Sequence, residues 1–150
     1  MDESFLTGEP GDVDEVLVAR PEHDRLAVPA HRRCGQRERR ATQLAGLGIT
    51  EAMRSTSAGV HEYQLDAAAK YVHFVNGARG DGYASIVAGG TNAFMGHYFR
   101  KADPLRDGDL VLMDYAPDYR YYTSDVTRIW PVNGTFTPAQ AALYEFIVAY

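Results

Sequence analysis

From residue 39 onward, apolar and polar positions follow two different periods. Leu44, Leu47, Ile49 and Met53 recur at helical spacing and predict a first helix of four or five turns. Gly46 and Gly48 within it either weaken it or allow another element to approach closely. Ser57-Ala58-Gly59-Val60 breaks the pattern. A second helix is predicted from Glu62 to Asn76, with Leu65, Ala68, Ala69, Val72 and Phe74 as its apolar side and Asn76-Gly77 as its stop. The pattern then turns extended. Tyr83 to Ala88 reads as a strand, Gly89-Gly90-Thr91-Asn92 as a turn and Phe94 to Phe99 as a second strand. Asp107-Gly108 leads into a strand from Leu110 to Tyr115, and a return strand runs from Tyr121 to about Val132. Thr137-Pro138-Ala139-Gln140 combines an N-cap, a proline at the first helical position and a glutamine three residues after the cap. The helix that follows carries Leu143, Phe146, Ile147 and Tyr150 on one side and stops in mid-turn, so the chain reads as incomplete. These elements predict an α+β fold.

Residues 1–38 are different material. Acidic and basic clusters alternate with Pro10, Pro21 and Pro29, and Val13 to Ala19 is the one strand candidate. The segment ends in a basic run from His31 to Arg40. That run has no interleaved aromatic residue, Glu38 interrupts it, and the net charge of the chain is −5, so an ordinary solvated charge run is preferred over a nucleic-acid surface. Hydrophobic residues make up 45% of the chain and charged residues 23%, which excludes a disordered composition and allows a real core. No apolar run is long enough to span a membrane. Cys34 is the single cysteine, so no intrachain disulfide forms, and the acidic start lacks the order of a signal peptide. The expected location is cytoplasmic.

The candidate chemistry lies in the last hairpin. Asp114 and Asp125 stand near the facing ends of its two strands, with Ala116-Pro117-Asp118-Tyr119-Arg120 as the turn. If the hairpin pivots between Tyr119 and Arg120, the two carboxylates face each other with Cβ atoms about 5 Å apart. Facing like charges are destabilising, so one acid holds a proton or a cation lies between them. Oxygen donors of this kind suit a hard divalent cation. The other acids at strand ends, Asp103, Asp107 and Asp118, read as turn or capping residues. His23, His31, His61 and His73 read as structural. The tyrosines at 115, 119, 121 and 122 read as packing on a half-buried hairpin. Arg79-Gly80-Asp81 and the Asn133-Gly134-Thr135 sequon are read as chance occurrences.

An ordered set of motifs over about 110 residues resembles the catalytic domain of the Xaa-Pro aminopeptidases and prolidases, the pita-bread metallopeptidases of family M24. It comprises Arg40-Ala41, Gly59 to Tyr63 with Ala58 in place of a proline, Gly89 to Ala93 followed by Gly96-His97-Tyr98, Leu105 to Asp109, Met113-Asp114, Tyr122 to Arg128, Val132 to Gly134, and Thr137 to Gln140. The resemblance implies the first half of a pita-bread domain over residues 39–150. It also implies two divalent metal ions in the complete enzyme, Mn²⁺ first with Zn²⁺ or Co²⁺ as alternatives. Asp114 would hold one ion and Asp125 would bridge both. His97 would stand beside the site and donate a hydrogen bond to the substrate or the oxyanion. The implied substrate is a peptide with proline second, and the implied full-length form is a homodimer, with neither nucleic acid nor membrane as partner. The family's remaining ligands, one His and two Glu, fall beyond residue 150, so the 150-residue chain is expected to be inactive alone. Where the family has a small residue and glycine after the first aspartate, this chain has Tyr115-Ala116-Pro117. Two other readings keep the same fold: a module that has lost its metals and binds peptide or protein, and a metal-free enzyme cleaving a small C–N bond as creatinase does. Both aspartates count against each.

Overall fold

The computed structural model describes residues 30–150, so the strand expected at Val13 to Ala19 lies outside the described residues. Helix α1 spans Ala30–Arg54 and begins nine residues before the predicted start. The basic stretch is therefore helical. Its arginines, glutamine and glutamate are good helix formers whose charges stay in water. The face that α1 buries is made of small residues as much as large ones: Ala41, Leu44, Ala45, Ile49 and Ala52 are inside, whereas Leu47 and Met53 are exposed. These buried positions follow the i, i+3, i+4 rule, which Leu47 and Met53 break.

Helix α2, Glu62–Val75, packs along α1. Its buried positions are Glu62, Leu65, Ala69 and His73. Phe74, expected on the apolar side, points outward, and His73 takes the inner position. Gly48 makes that possible. A Cβ at Gly48 would stand 2.2 Å from His73 Nε2, so the imidazole lies directly on the α1 backbone. Its ring also meets Tyr115 edge-on at 5.2 Å. The Leu44 carbonyl lies nearby, but neither ring nitrogen completes a well-aligned hydrogen bond among the described residues.

Burial holds the His73 pKa below its ordinary 6.5, while the carboxylates of Asp81 and Asp66 pull it the other way and lose. The folded state therefore binds a proton at His73 less readily than the unfolded chain does. Stability is full above pH 6.5 and falls as the pH drops from there through the folded value. In urea titrations between pH 7.5 and 5, about the range in which an imidazole titrates, the wild type is expected to lose stability that His73→Leu does not. Asp66 shifts in the same direction for a different reason and in a lower range. Burial raises its pKa, but hydrogen bonds from Tyr115, Ser85 and Lys101 outweigh that and bring it below 3.8, so its contribution is lost only in stronger acid.

Three antiparallel strands form the main sheet, in the order β2 (Ile86–Gly89), β3 (Leu110–Tyr115) and β5 (Val126–Pro131). A two-stranded annex pairs β1 (Gly80–Asp81) with β4 (Pro117–Asp118). β3 matches its predicted bounds, and its burial alternates strictly. Val111, Met113 and Tyr115 are fully buried, while Leu110, Leu112 and Asp114 are only partly buried on the other face. The core lies between the helix pair and the buried face, joined by Val87, Leu105, Trp130 and Val132. The Trp130 indole N–H donates to Thr56 Oγ1 at 3.0 Å.

The strand expected at Phe94 to Phe99 does not form. A 3-10 turn, Gly90–Phe94, follows β2, and the chain then curls through an exposed loop. The reason is the side chain of Asn92, whose amide donates to Glu62 Oε1 (2.9 Å), Tyr98 Oη (3.0 Å) and Asp103 Oδ2 (3.0 Å). The buried carboxylate of Glu62 at the start of α2 thus overrides the local β propensity of Phe94 to Phe99. Helix α3, Pro138–Ala149, starts as predicted, with Thr137 Oγ1 accepting from Gln140 N–H at 3.3 Å and Gln140 Oε1 accepting from Thr137 N–H at 2.9 Å. Its Leu143, Phe146 and Ile147 are exposed.

Candidate metal centre

β3 places Asp114 on the sheet face turned away from the helices, because Met113 and Tyr115 on either side face the core. The hairpin pivots between Arg120 and Tyr121, one position later than expected. Asp114 is therefore opposite Thr127, not Asp125, and Tyr115 is opposite Val126. The cause is Pro117-Asp118, which pairs with Gly80-Asp81 and carries the extended chain past Tyr115 before it turns. A partner offset of two residues leaves the side unchanged, since side chains alternate with a period of two. Asp125, immediately before β5, thus stays on the side of Asp114.

One hydroxyl joins the two acids. Tyr83 Oη donates to Asp114 Oδ1 at 2.5 Å and stands 3.1 Å from Asp125 Oδ1. Burial and the adjacent carboxylates push the phenol pKa far above its usual 10, so Tyr83 remains a donor throughout the physiological range. The sequence pattern makes Tyr83 the first residue of a strand and does not predict this contact. Tyr83 lies instead in the connection between β1 and β2. The usable signal is Asp81-Gly82, a turn pair that ends a strand and leaves the next aromatic free to point at the neighbouring hairpin.

His97 is in left-handed backbone at φ 54 and exposed, with its ring stacked on Phe99 at 6.0 Å. It makes no hydrogen bond to either aspartate among the described residues. No group of three or more His, Cys, Asp or Glu side chains gathers into a metal cage among the described residues. Two carboxylates on one side of a sheet edge, one of them exposed, are the oxygen donors a hard divalent cation takes, yet too few to saturate it.

The turn carries the strain of the site. Tyr119 and Tyr122 close a two-residue hairpin (N–H to carbonyl 2.8 and 3.2 Å), and its central residues Arg120 and Tyr121 sit at φ 56 and 68. Both signs match a type I′ turn, which normally takes Asn or Gly. α1 supports it from below. Arg37 lies 5.5 Å over the Tyr122 ring and Arg40 6.0 Å over the Tyr119 ring, which gives two of the basic-run residues a packing role. The Tyr121 side chain is 90% exposed, so replacing it discards strain and little contact. Tyr121→Gly is expected to stabilise the protein by about 0.5–1 kcal/mol, read as a higher midpoint in thermal unfolding.

The sequence matches the metallopeptidase family M24 over residues 36–150. It is similar to the Xaa-Pro aminopeptidase of Escherichia coli, with 38% identity over 110 residues covering 73% of this chain and 25% of that protein. Its fold is similar to proline aminopeptidase P II from Yersinia pestis, at TM-score 0.77 and 42% identity, over 81% of this chain and 28% of that one. It is also similar to a zinc-substituted E. coli aminopeptidase P in complex with product, at TM-score 0.74 and 37% identity, over 76% of this chain and 26% of that one. The architecture is accordingly that of part of a pita-bread domain, and the chain spans about a quarter of the length of the curated relatives it matches. The ordered motifs, the hairpin that brings Asp114 and Asp125 together and these likenesses lead to one assignment: this chain belongs to metallopeptidase family M24.

Proposed function

We propose that this chain supplies the first two carboxylate ligands of a metal-dependent aminopeptidase that releases the N-terminal residue of peptides with proline in second place. The observation that carries the reading is the meeting of Asp114 and Asp125 on the Tyr83 hydroxyl. Asp114 and Asp125 would hold the divalent ions, Asp125 being the one that would be shared between two of them, with Mn²⁺ the first choice and Zn²⁺ or Co²⁺ also suited to oxygen donors. Such ions, when bound, lower the pKa of a water molecule and polarise the scissile carbonyl.

The chain's own residues do the remaining work. β3 and the Tyr83 hydroxyl keep the two carboxylates from turning away from each other. His97, on its exposed loop, donates a hydrogen bond to the substrate carbonyl or the oxyanion that develops from it. Residues 39–150 act as the first half of a catalytic domain whose full-length form is a cytoplasmic homodimer. Residues 1–150 alone release nothing from an Xaa-Pro peptide, because two carboxylates do not complete the ligand set of two ions.

Calorimetric titration of the chain with Mn²⁺ tests the reading. Wild type is expected to show weak binding that Asp125→Ala loses, with at least about a tenfold drop in affinity, or 1.4 kcal/mol. Equal heats for the two proteins would remove the metal assignment.

A further inference from the structure

Tyr83 is flanked in sequence by two residues that contact helix α2, Asp81 and Ser85. The segment 81–85 that carries it is tied to α2 at both ends. At the first, Lys70 Nζ lies 3.3 Å from Asp81 Oδ2. At the second, Ser85 Oγ donates to Asp66 Oδ1 at 2.8 Å and accepts from Lys101 Nζ at 2.6 Å. Asp66 is the node: its Oδ2 lies 3.2 Å from Lys70 Nζ and 3.0 Å from Lys101 Nζ, and its Oδ1 also accepts from the Tyr115 hydroxyl. Two cations balance two anions, and the side chains are only 12–29% exposed, so salt screens them less than a surface pair. Asp66 and Lys70 lie one turn apart on α2, which pre-forms half the arrangement.

Between the two ties, the segment rests on the hairpin. The Gly82 N–H donates to the Ala116 carbonyl at 2.7 Å. A Cβ at Gly82 would stand 2.5 Å from Thr123 Cγ2, so the backbone lies directly against the stretch that leads into Asp125. Tyr83 comes next and reaches both aspartates.

We propose that Lys70, with Asp66 and Lys101, is a positioning residue: it holds segment 81–85 against α2 so that the Tyr83 hydroxyl stays lodged between Asp114 and Asp125. The role of that pair rests on the function proposed above; the positioning itself does not require a metal. Lys70 never reaches the acids. It acts through Asp81 and the backbone of Gly82, and its loss would let Tyr83 swing off the carboxylates while the core of the sheet stays intact.

Amide hydrogen exchange by NMR on the full 150-residue chain, without metal, tests this. Lys70→Met is expected to speed exchange at the Gly82 amide by about tenfold and to abolish ring contacts between Tyr83 and the two aspartates, while Val87 and Met113 in the sheet change by less than about twofold. Lys70→Arg, which keeps the charge, is expected to restore protection. Asp81→Ala cuts only the loop end of the tie, leaves Lys70 on Asp66, and should reproduce the Gly82 effect if Lys70→Met folds poorly. Unchanged Gly82 exchange and unchanged Tyr83 contacts in both variants would overturn the proposal. So would a uniform rise that includes Val87 and Met113, since that would make the cluster a matter of global stability. The Mn²⁺ titration can fail while this experiment succeeds, and the reverse, so the two ideas fall separately.

Discussion

Glu62→Ala is expected to destabilise the fold by about 3–5 kcal/mol, measured as the loss of unfolding free energy in urea. Glu62 is fully buried at the start of α2 and its two carboxylate oxygens receive four donors. Oε1 accepts from the Gly89 N–H at 2.8 Å and the Asn92 amide at 2.9 Å. Oε2 accepts from the Tyr98 hydroxyl at 2.7 Å and the Asp103 N–H at 3.1 Å. Truncation takes the acceptor from the Gly89 N–H, the Asp103 N–H and the Tyr98 hydroxyl, while the Asn92 amide keeps Tyr98 Oη and Asp103 Oδ2. Each unpaired buried donor costs about 1–3 kcal/mol, and entry of water into the gap reduces the sum. An exposed glutamate replaced by alanine would cost within about 0.5 kcal/mol, so the two cases are easily told apart. Glu62→Gln keeps the shape but turns an acceptor into a donor that confronts two N–H or O–H groups, so it is expected to recover only part of the loss. The same change also reaches the candidate site, because Asn92 and Tyr98 hold the loop on which His97 stands.

The second large effect is a reversal of sign between two glycines two residues apart. Gly46 and Gly48 both sit inside α1, where alanine is worth up to about 1 kcal/mol over glycine. Gly46 is exposed, and a Cβ added there would meet nothing within 4 Å. Gly46→Ala is therefore expected to stabilise by about 0.5–1 kcal/mol. At Gly48 a Cβ would meet His73 Nε2 at 2.2 Å and the Ala69 carbonyl at 3.0 Å. The ring is walled in by Tyr115 on another side and the Ala69 backbone cannot rotate away. Gly48→Ala is expected to cost about 1–3 kcal/mol, the range for overpacking a close-packed core. Thermal unfolding of the two variants beside wild type decides it. A stabilised Gly48→Ala protein would mean that α1 and α2 can separate freely and that His73 is not clamped.

Much of this architecture is readable from residue order because several local signals agree with the tertiary result. Leu110 to Tyr115 alternates strictly, is flanked by turn residues and forms the central strand as predicted. Thr137 to Gln140 carries a complete helix start and makes both of its hydrogen bonds. The family motifs place Asp114 and Asp125 as a pair, and the pair shares a hydroxyl. What residue order hides depends on long-range polar contacts. Phe94 to Phe99 has strand propensity, but Glu62, some thirty residues earlier, takes Asn92 and winds the chain. Leu47 and Phe74 are large and apolar, but Ala45 and His73 hold the inner positions because two helices in close contact favour small or flat side chains over bulk. The hairpin register differs by one pivot position because the pairing of Pro117-Asp118 with β1 is invisible within the hairpin itself. Tyr83 escapes notice because the Asp81-Gly82 turn pair frees it from the strand without announcing residues 114 and 125 as its partners.

Strand pairing also sets a rule for how this part of the molecule can change. Side chains on a strand obey parity, so each acid keeps its side as long as its spacing from the paired part of its own strand stays odd or even as it is. Lengthening or shortening the tip moves the crest of the loop outward or inward and leaves both acids on one side, because facing partners share a side whatever the loop length. A single residue inserted between Asp125 and the start of β5 turns that acid toward the aliphatic side of the sheet. Descendants of this sequence can therefore vary the tip and keep the pair, whereas one odd step inside a strand removes it.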